Sequence, residues 1–596
     1  MSLYHESSEK LNKKSLLIPS EILQKISSHF KDDIFTLFSC ILVSRNWCTS
    51  LIEILWSQPF HLSHSPRIVE IYLSFLPENL RDQLKINFHS FKKGYKCLFD
   101  YPSFLKKLSI PLLCNAIGEY LREELNIKTL PFSTINYYTD NIIEQIMYTD
   151  LLKLFSKQKH IQITYNFKLF YNKNIIILRE LCKLIYNKIN VINELDFHIG
   201  INFSEEGLKL QLAVEELVKL QDHFRGLKVL TYSGDNEVLC FLVKHCKRIE
   251  SLKLYQVSYG KNVLNNDDLS IQLISSQKNL RNLEIHDWKI SPSSNITSIT
   301  SPPSITNITT LLQSIQSQAN SLRSIKLINC NFNKCKPLWA LSNCLNLVEI
   351  IIRENHNFNE KLLIPLTKVK FYNLRKFIYK FQLINFVDDH DDDDEFIEDE
   401  FIDLNEIFSR IIFNSKDSLR IISINGFKTL QSLRNTLNSI VECKNLIKLD
   451  IMLEKSENTL PLLLSIIKHN QSLEKLYIVS DTRNLANQGN NNNLFIDVNQ
   501  FLHLFVNLLP QNFKLLKMYT PDWCFNTDTL NQFLEKTKFR IKSMCWVNYE
   551  CDLDCGEVLR KYAKLNGYKL LFGEDCRFIN NSIIKMNVFF EKFITG

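Results

Sequence analysis

From about residue 190 onward the apolar positions repeat one phrase: an apolar residue, two variable positions, an apolar residue, one variable position, an apolar residue. It reads IESLKL at 249–254, LRNLEI at 280–285, LRSIKL at 322–327, LVEIII at 347–352, LRIISI at 419–424, LIKLDI at 446–451, LEKLYI at 473–478 and FKLLKM at 513–518. Weaker copies are INELDF at 192–197, LKVLTY at 227–232, LRKFIY at 374–379 and IKSMCW at 541–546. The interval from Leu322 to Leu347 is 25 residues, and Leu347 to Leu374, Leu419 to Leu446 and Leu446 to Leu473 are each 27. Alternation over the last three positions predicts a short strand, with the apolar residues inward and the residues between and after them outward. Upstream stretches such as TLNSIVEC and LPLLLSIIKHN predict helices. Each unit is therefore a helix, a tight turn and a strand. A lone unit cannot bury its apolar edge, so units stack into a solenoid with parallel strands on a concave face and helices on the convex face. Cys246, Cys344 and Cys443, three positions ahead of their phrases, are expected as small buried residues at the helix-to-strand turn.

The first 57 residues follow a different pattern. Pro19 fixes the chain direction and Ser20 is placed to cap a short helix that carries Ile22, Leu23 and Ile26 on one face. A second helix is expected over Thr36–Val43 with Leu37, Ile41 and Leu42 inward. A third runs from about Asn46 past Leu55, with Trp47, Leu51 and Leu55 at i, i+4 and i+8. Three such helices bury too little area to be stable alone, so the unit leans on the next domain or on a partner.

The residues Pro19, Glu21, Ile22, Leu23, Ile26, Leu42, Val43, Arg45, Trp47, Leu55 and Trp56 occur in the order and spacing of the F-box, and this stretch resembles that family. Ile18 stands where the family usually has Leu, and polar Ser39 and Cys40 fall in a helix that is normally richer in leucine. With the repeats, the chain resembles the F-box proteins with C-terminal leucine-rich repeats, of a fungal type. The resemblance implies an α/β chain: a three-helix F-box at 16–57, a helical linker with degenerate repeats at 58–190, and a leucine-rich-repeat solenoid at 191–570. Disordered insertions are expected near 291–310, 388–400 and 484–494, where the chain reads as Ser/Thr/Pro-rich, acidic and Asn-rich.

The resemblance also implies a function. F-box domains dock the Skp-type adaptor of cullin–RING ubiquitin ligases through an apolar helical surface. Here Ile18, Pro19, Ile22, Leu23, Ile26, Val43, Trp47 and Trp56 are expected to form that surface and its support, with Trp47 nearer to core than to contact. The solenoid is then expected to hold a protein target for ubiquitination and proteasomal degradation. The alternative is a ligase-independent repeat scaffold. The outward strand positions Lys253, Tyr255, Glu284, His286, Lys326, Ile351, Arg353, Asp450, Met452, Tyr477, Lys517 and Tyr519 mix aromatic, charged and apolar residues, as protein-binding surfaces do.

Composition narrows the other classes. A net charge of +7 over 596 residues, with both signs interspersed, does not point to nucleic acid or a membrane surface. The longest apolar runs are too short to span a bilayer, and a cytoplasmic or nuclear location is the default expectation. Thirteen glycines and the absence of any phosphate-loop string argue against a nucleotide-binding fold. The acidic run Asp388–Glu400 with His390, and the loosely spaced Cys545, Cys551, Cys555 and Cys576, lack the spacing of a metal site. No local motif supports a Cys/His nucleophile. The expectation is a non-catalytic protein with no cofactor and no metal.

Overall fold

The computed structural model describes residues 18–30, 33–62, 65–83, 97–124, 176–185, 192–198, 223–233, 236–256, 266–288, 308–333, 335–380, 406–425, 427, 429–453, 459–480, 496–520, 523–537, 541, 543–551, 568–572 and 584–592, with a few single positions besides. The fold is α/β: an N-terminal helical region precedes a run of parallel strands alternating with helices. This arrangement is compatible with leucine-rich repeats. The chain forms two compact units, Met1–Leu252 and Lys253–Gly596.

In the first unit three helices open the chain: α1 (Ser20–Ser27), α2 (Ile34–Ile41) and α3 (Arg45–Leu55). Their starts follow from local chemistry. Asp33 accepts the Thr36 amide at 3.1 Å and the Thr36 hydroxyl at 2.7 Å, and Ser44 accepts the Trp47 amide at 3.3 Å. The α2 helix thus begins two residues before the sequence pattern placed it. Leu23, Leu37 and Leu51 are fully buried where α1 and α2 pack on α3. Leu42 lies just past the end of α2 and is 71% exposed, not inward as its helical phase suggested. Its N–H still bonds back to Ser39, so the helix is ending there and the side chain no longer follows the inward stripe.

The stretch 58–190 contains more regular structure than its irregular sequence announces. The helix Pro66–Ser74 packs on Ile110–Glu124. The strand β1 (Lys107–Ser109) pairs in parallel with β2 (Glu194–His198), which pairs in parallel with β3 (Val229–Ser233). Ser109 Oγ donates to Asp196 across β1 and β2 at 2.8 Å. The strand β4 (Ser251–Tyr255) contains the boundary between the two units.

In the second unit the phrases become strands in one register: β5 (Asn282–His286), β6 (Ser324–Ile328), β7 (Glu349–Arg353), β8 (Lys376–Lys380), β9 (Ile421–Ile424), β10 (Lys448–Leu453) and β11 (Lys475–Ser480). After a two-residue strand β12 (Ile496–Asp497) come β13 (Leu515–Tyr519), β14 (Trp523–Cys524) and β15 (Ser543–Cys551). Leu283, Ile325, Ile350, Phe377, Ile422, Leu449, Leu476 and Leu516 face one another rung by rung, and all are buried. Helices between the strands, among them Leu430–Val441, Leu460–His469, Asn499–Leu508 and Thr527–Thr537, pack each on the next in this series. Cys344 and Cys443 are fully buried at the helix-to-strand turns, as their position predicts, and in the first unit Cys246 is 1% exposed. Burial pushes all three thiols up to about 12, which makes them inert as nucleophiles.

Three features were not read from the sequence. Asp287, Asn329 and Glu354 take positive φ just past β5, β6 and β7, where the chain turns sharply. One residue after Glu354, buried Asn355 accepts the Cys330 amide at 2.8 Å and donates to the Leu327 carbonyl at 3.0 Å. Cys330 and Asn355 each stand three positions after the last apolar residue of the phrase, the place where leucine-rich repeats carry Asn or Cys. The parallel run also ends differently from its start: β17 (Ile584–Lys592) pairs antiparallel with β15, and β16 (Tyr568–Phe572) pairs antiparallel with β17. The expected insertions lie outside the described residues, except that residues 308–310 begin the helix Ile308–Ser314.

Candidate functional site

Two surfaces combine accessible position with recognisable chemistry, one in each unit. The first is formed by α1 and α2. Ile18, Ile22 and Ile26 recur every four residues and are all exposed, while Leu23 points into the core. On α2, Phe35 and Phe38 fall one turn apart on the face opposite Leu37. Phe35 is 84% exposed, Phe38 54% and Val43, just beyond, 65%. The Asn46 side-chain amide on α3 donates to the Ile18 carbonyl at 3.0 Å, which fixes the chain as it enters α1. Contiguous large apolar side chains in water are uncommon unless a partner covers them.

The expected adaptor-binding set divides on this surface. Pro19 is exposed beside Ile18 and Ile22. Leu23 is fully buried and can only support the surface from beneath. Trp47 is half-buried in the first turn of α3. Trp56 turns toward the following helices: its ring centroid lies 4.1 Å from Tyr101 and 6.1 Å from Tyr72. It ties the three-helix unit to the chain that follows. Phe35 and Phe38, the most exposed aromatic residues here, lie outside the motif quoted from the sequence, and only the polar–apolar phase of α2 signals them.

The second surface is the outward face of the strands in the second unit. Along one row the rungs run Glu284, Lys326, Ile351, Ile378, Ser423, Asp450, Tyr477, Lys517. Glu284 is its most engaged group. Lys253 Nζ lies 3.0 Å and Lys326 Nζ 3.1 Å from its carboxylate, and His286 Nε2 is a third partner. Burial pushes the Glu284 carboxyl up, but the bonds from His286, Lys253 and Lys326 outweigh it and hold it well below the usual carboxylate range. Tyr255 stacks on His286 with centroids 4.5 Å apart, and Lys253 lies over the Tyr255 ring. Farther along the row, Asp450 accepts from Ser423 Oγ at 2.8 Å and pairs with Lys380 at 2.8 Å. Lys448 and Lys517 lie 4.3 and 5.3 Å from the Tyr477 ring centre.

Of the expected target-binding residues, Lys253, Tyr255, Glu284, His286, Lys326, Arg353, Asp450 and Tyr477 are half-buried on this face, and Lys517 and Tyr519 are exposed. Ile351 and Met452 are at the predicted register but are 4% and 5% exposed, Ile351 on the rung between Lys326 and Ile378 and Met452 beside Val479. They offer little direct contact area. The surface is a mosaic of ion pairs and stacked rings, with the Glu284 and Asp450 carboxylates paired to lysines.

Among the described residues no group of three or more His, Cys, Asp or Glu side chains is placed to hold a metal ion, and no helix is long and apolar enough to cross a membrane. Asp388–Glu400, Cys555 and Cys576 lie outside the described residues, as do the side chains of Cys545 and Cys551. A scan against family models and a search of curated proteins find no match to the chain.

Proposed function

We propose that the chain is the substrate-recognition subunit of a Skp adaptor–cullin–F-box ubiquitin ligase. The three N-terminal helices dock the adaptor, and the strand face of the leucine-rich-repeat solenoid holds a protein target. The observation that carries this reading is the set of apolar side chains Ile18, Ile22, Ile26, Phe35, Phe38 and Val43, which are exposed among the described residues while Leu23 and Leu37 fill the small core beneath. Its position agrees with the F-box-like motif quoted from the sequence. The chain supplies no catalytic group in this role. It raises the effective concentration of a target lysine near a ubiquitin-charged enzyme, and the gain comes from proximity.

Co-purification with a Skp-type adaptor tests the reading. The informative variant is Ile22→Asp with Phe35→Asp, because both side chains are exposed and their loss leaves the core intact. The wild type is expected to retain the adaptor and the variant to lose it at unchanged circular dichroism. Failure of the wild type to bind contradicts the proposal. A ligase-independent scaffold is the competing reading, and it is favoured if proteins captured by the strand face keep the same half-life when the chain is deleted.

A further inference from the structure

The residue that follows the first apolar position of each phrase lies at the entry to its strand, and these residues form a ladder of their own. In the second unit the Arg323 amide bonds to the Arg281 carbonyl, Val348 to Arg323, Arg375 to Val348, Arg420 to Arg375 and Ile447 to Arg420. Successive rungs of a sheet are about 4.8 Å apart. Cationic side chains therefore stand at rungs one, two, four and five of this run, with Val348 at rung three. All four arginines are exposed and line one open groove with a volume of about 860 Å³.

Elsewhere the same ladder position is neutralised internally. Lys514 pairs with Glu474 at 2.8 Å on adjacent rungs, and in the first unit Lys228 pairs with Glu250 at 3.4 Å. Between Arg281 and Arg420 no acid stands at this position. Among the described residues the guanidinium groups of Arg323, Arg375 and Arg420 have neither ion pair nor hydrogen bond. The groove's one described carboxylate, Glu349, is occupied by Lys376 and by Ser324 Oγ at 2.6 Å. Like charges on neighbouring rungs repel, and a bound anion relieves that cost.

We infer that this arginine-lined groove binds an extended acidic peptide segment, with acidic residues at both ends and an apolar residue between them. The span from Arg281 to Arg420 is four rungs, about 19 Å, which an extended chain covers in about six residues. Guanidinium forks match carboxylates two bonds at a time. Val348, with Ile421 and Ile447 at the same groove, faces the middle of the segment. A nucleic-acid strand fits less well: no aromatic side chain lines the groove to stack on bases, and Val348 interrupts the charge that a continuous phosphate backbone would need. The inference gives the proposed receptor a target class. It rests on that reading only for the word target, because binding is measured without any ligase component.

The test is fluorescence anisotropy of the full chain with a labelled peptide of about eight residues carrying two acidic pairs on either side of a leucine. The wild type is expected to bind it. Arg323→Glu with Arg375→Glu and Arg420→Glu is expected to weaken binding at least tenfold at unchanged circular dichroism, while adaptor co-purification of the same variant stays as in the wild type. Replacing the peptide leucine by serine is expected to weaken binding as well. The inference is overturned if the charge-reversed variant binds equally, if the wild type does not bind at about 0.1 M salt, or if inorganic tripolyphosphate or a single-stranded oligonucleotide displaces the peptide at lower concentration than unlabelled peptide does. Loss of adaptor binding with the peptide site intact contradicts the proposed function and leaves the groove assignment standing.

Discussion

Glu284 and Asn355 show how single residues hold this architecture in opposite ways. Glu284 is a half-buried anion surrounded by Lys253, Lys326 and His286, with its folded-state carboxyl held below the ordinary value of 4.5. A depressed folded value contributes stability above the unfolded value and loses it as the pH falls. Glu284→Gln is therefore expected to cost on the order of 1 kcal/mol near neutral pH, discounted for its partial exposure, with the difference from wild type narrowing as the pH drops below 4.5. Urea titrations at a series of pH values read this directly, and a difference that widens in acid contradicts the assigned role. Asn355 is neutral and buried, and its amide serves the Cys330 N–H and the Leu327 carbonyl. Asn355→Ala leaves both backbone groups unsatisfied and is expected to cost about 1–3 kcal/mol by denaturant unfolding, with little pH dependence. Neither role was legible in advance. The phrase marked Glu284 as outward, but two of its three partners, Lys253 and Lys326, come from strands far from it in sequence. Asn355 follows its strand, where the period-two alternation has already ended.

At the scale of the element, the strands were the most legible part of the chain. Period-two alternation with a fixed interval specifies both a strand and its inward face, so Ile325, Ile350 and Phe377 fell into register as expected. The first three helices were legible as helices but not in phase at their ends. Helical periodicity over eight residues leaves its last turn undetermined, and Leu42 emerged from the core for that reason. Strand β1 and the antiparallel β16 and β17 carry no interval to count, so nothing local announced them. For α1 the consequence is a separation of roles one residue apart. Leu23→Ala empties a closed core site and is expected to destabilise the helical unit by about 2–5 kcal/mol. Ile22→Ala removes an exposed side chain and is expected to change thermal stability little while weakening adaptor capture. Thermal melts of the two variants beside adaptor co-purification separate these outcomes. Equal loss of stability would mean that the exposed stripe belongs to the core.

At the scale of the whole molecule, the N-terminal helices carry one exposed apolar surface, and the strands of the second unit carry one largely self-neutralised polar face bordered by a groove in which Arg323, Arg375 and Arg420 are unpaired among the described residues. The overall plan of helical start and parallel repeats followed from pattern alone, because stacking is the only way such short units bury their apolar edges. The groove did not, because a ladder of exposed arginines appears only when the rungs are aligned. The central claim is that α1 and α2 are a docking surface for a Skp-type adaptor, and amide hydrogen exchange followed by mass spectrometry tests it most directly. Addition of purified adaptor to the full chain is expected to slow exchange in peptides spanning residues 18–43 and to leave the strands of the second unit unchanged. Unaltered exchange across 18–43 in the presence of saturating adaptor would contradict it.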